Sequence, residues 1–379
     1  MKKTITFVLS LLLIVIVQAQ EEPEIDTTQI IIPLQIGFDG EAAIEDTAST
    51  IIVAEDQEAN LAYNDGIELY SANNYQDAIN KFNEAIRYKP DMYQAFYGRG
   101  NAYLQIQEYQ KSINDFKTFL QDNPNNSEVN YLIGFSYYNL QEYDDALKYF
   151  NKAIELKHRD VNMYYLKGVI MFHKEQYDDA IANFTETISI DSRHFFSYND
   201  RASAYRMLKK YDEAIEDYTR AINLDGEKEI VFNNRGSVKR LKNDWRGAIQ
   251  DYDEALKINP EYYLALNNKG VTLYEIRRYG EAIKAFEAAV KINNNYAYAY
   301  NNKGLSYYRL GKYKEAVESY TKAILINPNF AEAYLHRGSA REMLRNMSGA
   351  CDDWKKAVEL GFNDAEEYLS ICVEDIYRK

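Results

Sequence analysis

The 379-residue chain is poor in the features that define several protein classes. It has two cysteines, Cys351 and Cys372. That is too few for a disulfide-knit scaffold or a four-thiolate metal site. Six prolines and 17 glycines exclude collagen-like and proline-rich chains, and a 46% hydrophobic content excludes wholesale disorder. Positive charge is not in excess: the formal net charge is -14, which argues against DNA or RNA as the main partner. The four histidines, His158, His173, His194 and His336, show no metal-ligand spacing. Phosphate loops, a Gly-Ser elbow and a Cys-His pair with an orienting acid are all missing. The residues therefore read as a non-enzyme without a cofactor. Tyrosine is what the chain has in quantity, 35 of them.

The N-terminus is distinct from the rest. Met1-Lys2-Lys3 leads into an apolar run from Ile5 to Val17, followed by Gln18-Ala19-Gln20. A charged start, a short apolar stretch and a small-residue exit fit a signal peptide over 1–19. The run falls short of the roughly 20 apolar residues that cross a bilayer. The expected mature protein is exported, periplasmic or secreted, without an integral membrane segment. Residues 20–58 carry eleven acidic residues and no Lys or Arg. They read as an extended, self-repelling linker. Two apolar patches, Ile30–Ile36 and Ile51–Val53, leave a second reading open, in which the segment adds a strand to a partner or folds back. The signal and linker account for +2 and -11 of the charge, so the other 321 residues carry only -5.

From Ala59 the chain repeats every 34 residues, giving nine units: 59–92, 93–126, 127–160, 161–194, 195–228, 229–262, 263–296, 297–330 and 331–364. A small residue recurs at position 8 (Gly66, Gly100, Gly134, Gly168, Ala202, Gly236, Gly270, Gly304, Gly338). Another recurs at position 20, from Ala78 to Ala350, with Ser112 as the exception. An aromatic holds position 24, from Phe82 to Trp354. Spacings of three and four within each half predict two helices per unit. Pro90, Pro124, Pro260 and Pro328 mark where second helices stop. Small residues let the two helices approach, and the large rings fill the space beside them. Residues 365–379 read as a single amphipathic capping helix.

This pattern resembles the tetratricopeptide repeat. The resemblance implies an all-α fold, a right-handed α-solenoid of helix-turn-helix repeats whose first helices line a concave groove. It implies a protein or peptide partner rather than a substrate. Departures are local: Phe119 and Thr187 replace a third small residue, at position 27, so repeat 2 is expected to pack irregularly.

Comparing the units with one another adds two expectations. Arg99, Arg201, Arg235 and Arg337 at position 7 co-occur with Asp115, Asp217, Asp251 and Asp353, sixteen residues on, and repeat 1 has the swapped pair Asp65 and Lys81. This predicts ion pairs between the two helices of one repeat. Positions 5, 6 and 12 of the first helices carry a second pattern: Asn199, Asn233, Asn234, Asn267, Asn268, Asn301 and Asn302, with Arg206, Arg240, Tyr274 and Tyr308. These positions are expected to face a ligand. Amides donate and accept at once, so such a row suits an extended peptide backbone. It is similar to the asparagine ladder of the tetratricopeptide domain in O-linked N-acetylglucosamine transferases, with Asp200 breaking the match. A two-carboxylate clamp is not matched, because position 2 holds Phe196, Ile230, Leu264 and Tyr298. A further aromatic surface is expected at Tyr131, Phe135, Tyr138, Tyr165, Val169 and Phe172, free for a partner or covered by neighbours. Cys351 and Cys372 have two open readings, a disulfide in an oxidising compartment or two buried thiols.

The reading is a peptide-holding scaffold in an envelope assembly. The alternative is a structural spacer whose acidic tail makes the partner contact. An enzyme is the third and least supported.

Overall fold

The computed structural model describes residues 50–225, 227–369 and 372. Most of the expected linker, the expected signal peptide and residues 373–379 of the expected cap lie outside the described residues. Every regular element among the described residues is helical. The chain divides into two units, which meet in sequence between Ser197 and Tyr198.

The first unit contains α1 (Thr50–Ser71), α2 (Tyr75–Tyr88), α3 (Tyr93–Gln105), α4 (Tyr109–Asp122), α5 (Ser127–Asn139), α6 (Tyr143–Glu155), α7 (Val161–His173) and α8 (Tyr177–Ile190). The second begins within α9 (Phe195–Met207). It continues through α10 (Tyr211–Leu224), α11 (Glu229–Leu241), α12 (Trp245–Ile258), α13 (Tyr263–Glu275), α14 (Tyr279–Ile292), α15 (Ala297–Arg309), α16 (Tyr313–Ile326), α17 (Ala331–Met343) and α18 (Met347–Glu359). Each odd-numbered helix is the first of a repeat (helix A) and each even-numbered helix the second (helix B). A 3₁₀ turn, Asn363–Ala365, then leads into helical residues 366–369.

The expected boundary at Ala59 differs from the structure. Helix α1 starts at Thr50, inside the expected linker. No glycine or proline interrupts residues 50–65, so nothing stops the helix from extending backwards.

One turn geometry recurs nine times. The fifteenth residue of every repeat lies in the left-handed region: Asn73, Gln107, Gln141, Glu175, Lys209, Asn243, Arg277, Gly311 and Arg345. Only repeat 8 uses glycine there. In repeat 1, Asn73 N–H donates to Tyr70 O and Asn74 N–H to Leu69 O (both 2.9 Å), which satisfies the last carbonyls of α1. Side-chain caps help at α5 and α7, where Val129 N–H donates to Asn126 Oδ1 and Met163 N–H to Asp160 Oδ1.

The position-24 rings form the core. Phe82, Phe116, Phe150, Phe184, Tyr218, Tyr252, Phe286, Tyr320 and Trp354 are all fully buried. The small residue at position 8 is a steric requirement. A Cβ on Gly134 would come within 2.6 Å of Phe150 Cδ1, and one on Gly270 within 2.5 Å of Phe286 Cε1. Repeat 2 accommodates its departures: Ser112 and Phe119 are buried, with Phe119 lying 5.1 Å from the Tyr97 ring.

Candidate functional site

The structure brings the position-7 arginines to the expected carboxylates. Arg99 Nε and Nη2 donate to Asp115 at 2.8 and 2.7 Å. The same two-pronged geometry joins Arg201 to Asp217, Arg235 to Asp251 and Arg337 to Asp353. A planar guanidinium fits a carboxylate through two parallel bonds. Burial holds the Asp115 and Asp217 carboxyls above the usual range, although the adjacent arginines act to lower them. Desolvation therefore offsets much of the Coulomb gain, as expected for half-buried pairs. The pair Lys81–Asp65 is longer, 3.4 Å, and largely exposed.

The third guanidinium nitrogen does something that comparison within one repeat misses. Arg235 Nη1 donates to Thr219 Oγ1 (3.0 Å), Arg337 Nη1 to Thr321 Oγ1 (3.2 Å) and Arg99 Nη1 to Asn83 Oδ1 (2.6 Å). Each acceptor lies sixteen residues earlier, on helix B of the preceding repeat. Where position 7 is lysine the backward bond persists: Lys167 Nζ donates to Asn151 Oδ1 (2.8 Å), and in two repeats the bond is ionic. Lys269 meets Asp253 (2.6 Å) and Lys303 meets Glu287 (3.0 Å). Lys117 occupies the acceptor site of repeat 2, and the next position 7 is Ile133. Lys117 turns instead to the Tyr137 hydroxyl at 2.7 Å.

Positions 5 and 6 are not open to solvent, which corrects the expectation that they face a ligand. Asn199, Asn233, Asn234, Asn267, Asn301 and Asn302 are all buried, and Asn268 is partly so. Their amides bond across neighbouring repeats. Asn268 Nδ2 donates to Asn233 Oδ1 (3.0 Å), and Asn302 Nδ2 donates to Asn267 Oδ1 (3.2 Å). His336 continues the row, its Nδ1 lying 3.0 Å from Asn301 Oδ1. Burial pushes His336 down to about 3, so the ring is neutral near pH 7, and Nδ1–H is the donor that Asn301 requires. The rung between repeats 5 and 6 is not formed. Asn199 Nδ2 donates to its neighbour Asp200 (2.9 Å), which leaves Asn199 Oδ1 and Asn234 Nδ2 buried without partners.

Position 12 behaves in the same way. Arg240 Nη1 donates to Glu275 Oε1 (2.7 Å), and Arg309 Nε donates to the Tyr274 hydroxyl (2.8 Å). Burial opposes the Arg240 charge, but Tyr252 and Glu275 outweigh it and raise its pKa. Arg206 is buried, and burial pushes the Tyr308 hydroxyl up to about 12. Two rows of bonds thus tie adjacent A helices, both linking residues 35 apart. The expected aromatic surface is also largely closed. Tyr131, Tyr165, Val169 and Phe172 are buried, while Phe135 and Tyr138 are half-buried.

Partly exposed rings, Tyr263, Tyr296 and Tyr298, line the starts of α13 and α15, and the buried Phe330 backs them just ahead of α17. Tyr263 packs edge-on against Tyr296 (5.1 Å between centroids), Tyr296 lies 5.8 Å from Tyr298, and Tyr298 lies 5.1 Å from Phe330. Tyr298 is 42% exposed. Cys351 and Cys372 are joined by a disulfide. Among the described residues, no group of three His, Cys, Asp or Glu is placed to hold a metal, and no helix is long and apolar enough to cross a membrane.

Two family models, both described as tetratricopeptide repeat, match the chain. One covers residues 127–160, 196–227 and 297–330, and the other 63–127 and 235–297. Together they take in more than half of the chain. No curated protein matches it. Among solved structures, MamA is 27% identical over 44% of this chain and 96% of its own, with a TM-score of 0.40. YrrB, described as a TPR protein with an unusual peptide-binding site, is 20% identical over 51% and 97%, with a TM-score of 0.41. The APC/C hetero-tetramer Cut9-Hcn1 is 14% identical over 82% and 75%, with a TM-score of 0.50.

Proposed function

Because the chain belongs to the tetratricopeptide-repeat family, we propose that it is a non-catalytic scaffold, exported and envelope-associated, holding an extended segment of a partner protein. The observation that carries this reading is the aromatic run Tyr263, Tyr296 and Tyr298, which crosses repeats 7 and 8 with Tyr298 standing clear and the buried Phe330 behind it. Tyrosine rings offer a large apolar face at low entropic cost and a hydroxyl at the wet edge. An extended chain presents a side chain to each ring in turn. The asparagines have no part in this grip, because they are buried, and from Asn233 onward their amides hold neighbouring repeats together.

Export rests on the charged start and short apolar run of residues 1–19, and the acidic stretch 20–58 supplies the competing contact. A photo-crosslinking residue at position 298 separates the two. Partner peptides should attach there and not to the same residue placed at Gln250 on α12. Tyr298→Ala should weaken partner binding about tenfold, roughly the share of one aromatic anchor. Loss of binding on deleting residues 20–58, with Tyr298→Ala silent, would assign the contact to the tail and remove this reading.

A further inference from the structure

One row of bonds ties position 12 of a repeat to position 13 of the next. Gln105 donates to the Tyr70 hydroxyl (3.2 Å), Arg240 to Glu275 (2.7 Å) and Arg309 to the Tyr274 hydroxyl (2.8 Å). Between repeats 8 and 9 the same register pairs Tyr308 with Met343, and the row stops. A thioether is a weak acceptor. The Tyr308 hydroxyl forms no hydrogen bond among the described residues, and burial keeps it protonated near pH 7.

Arg309 is equally short of partners. Arg99, Arg201, Arg235, Arg240, Arg337 and Arg341 each meet a carboxylate at 2.7 to 2.8 Å. Arg309 is half-buried and, among the described residues, pairs with none. Its Nε is given to a neutral phenol, which leaves both terminal nitrogens of the guanidinium unspent. A planar guanidinium with two free nitrogens is shaped for a carboxylate. The surface beside it is apolar. Leu310 follows it at position 14, and Met343 and Leu344 hold positions 13 and 14 of the next repeat; the three are 45, 48 and 38% exposed. Uncovered aliphatic side chains beside an unpaired cation suit contact with another polypeptide.

We propose that this edge of repeats 8 and 9 binds a partner segment in which an internal Asp or Glu is flanked by apolar residues. The carboxylate accepts from the two terminal nitrogens of Arg309 and from the Tyr308 hydroxyl. The flanking side chains cover Leu310 on one side and Met343 and Leu344 on the other. Because apolar contact lies on both sides of the guanidinium, the segment runs through the site, and its acid is a side chain rather than a chain end. The partner is a polypeptide, as in the scaffold reading on which this assignment rests. The contact itself is separate from the aromatic run, since Tyr298 lies eleven residues before Arg309 on α15, about 16 Å along the helix. One charge opposes the ligand. Glu342 acts on the Tyr308 hydroxyl, and burial already holds its carboxyl above the usual range.

The test titrates capped pentapeptides into the full chain while the Met343 methyl signal is followed by NMR. Ala-Leu-Glu-Leu-Ala should shift that signal and bind about tenfold more tightly than its Gln counterpart, with the Lys counterpart weaker than either. Arg309→Met should abolish the preference for Glu over Gln. Arg309→Lys should keep part of it, since an ammonium lacks the planar fork. Glu342→Gln should tighten the Glu peptide about twofold by removing a like charge, and this gain keeps the test decisive if Arg309→Met unsettles the array. Tyr298→Ala should leave the titration unchanged, so failure here and failure of the crosslink at position 298 are separate results. Equal affinity for Glu and Gln, a preference that survives Arg309→Met, no gain from Glu342→Gln, loss of binding in Tyr298→Ala, or a glutamate-free peptide with an open C-terminus that binds as tightly would each overturn the proposal.

Discussion

Position 5 of the repeat divides the molecule in two. In the first unit it is Tyr63, Tyr97, Tyr131 and Tyr165, each packed on the position-24 phenylalanine of its own repeat, with centroids 5.8 to 6.1 Å apart. In the second unit it is Asn199, Asn233, Asn267 and Asn301, then Leu335 in the last repeat, and from Asn233 to Asn301 the side chain bonds to the following repeat. A ring fills the interior of one repeat, whereas an amide reaches out to the next. In a linear array, stability is the sum of repeat terms and interface terms. The first unit invests in the repeat term at this position, and the second invests in the interface. The position-7 ion pairs run the other way at Asp251 and Asp353, because the cation added there lies in the same repeat as the carboxylate. Asp115 has one cation, Arg99, while Asp251 has both Arg235 and Lys239, and Asp353 has both Arg337 and Arg341.

The comparison breaks most visibly at the rings. Phe150→Ala removes a fully buried ring and the surface on which Tyr131 rests, and should cost about 3–5 kcal/mol in urea unfolding of the first unit. A cost below about 1 kcal/mol would mean that the site collapses and that the rings are not the local term. The next effect is electrostatic. Arg99→Met leaves the buried Asp115 without its cation and should cost about 3 kcal/mol, whereas Arg235→Met leaves Lys239 on Asp251 at 2.8 Å and should cost about 1 kcal/mol. Equal losses would show that the second cation contributes nothing.

The legible part of this fold was whatever repeats within a repeat. The helix pairs follow from spacings of three, four and 34, and the Arg–Asp partners follow because both residues belong to one unit. The ties between units were not legible in that frame, because Asn on a helix A looks like a solvated residue until the next repeat covers it. A signal does exist, one repeat further on. Asn233, Asn267 and Asn301 at position 5 precede Asn268, Asn302 and His336 at position 6 of the following repeat, while Tyr63, Tyr97 and Tyr131 precede Gly98, Leu132 and Leu166. Donor meets acceptor in one set, and ring meets apolar or small in the other. The backward bonds of position 7 show the same logic, with Lys269 and Lys303 following Asp253 and Glu287.

The smallest effect is the most specific. Asn267→Ala strands the Asn302 Nδ2 donor, which is buried and whose carbonyl oxygen already lacks a partner, so the cost should be about 1–2 kcal/mol. Its size alone does not identify an interface term, since any buried polar loss is comparable. The double variant does. If the bond is what couples repeats 7 and 8, adding Asn302→Ala should recover part of the loss, with an interaction energy of about 0.5–1 kcal/mol. Amide exchange should show repeats 8 and 9 opening independently of repeats 6 and 7 in either single variant. The corresponding cycle in the first unit, Tyr131→Leu with Leu166→Ala, joins two residues with no shared hydrogen bond and should show a smaller interaction energy. Coupling of equal size in both cycles would mean that neighbouring repeats communicate through packing alone, and the amide row would then be filler that happens to be buried.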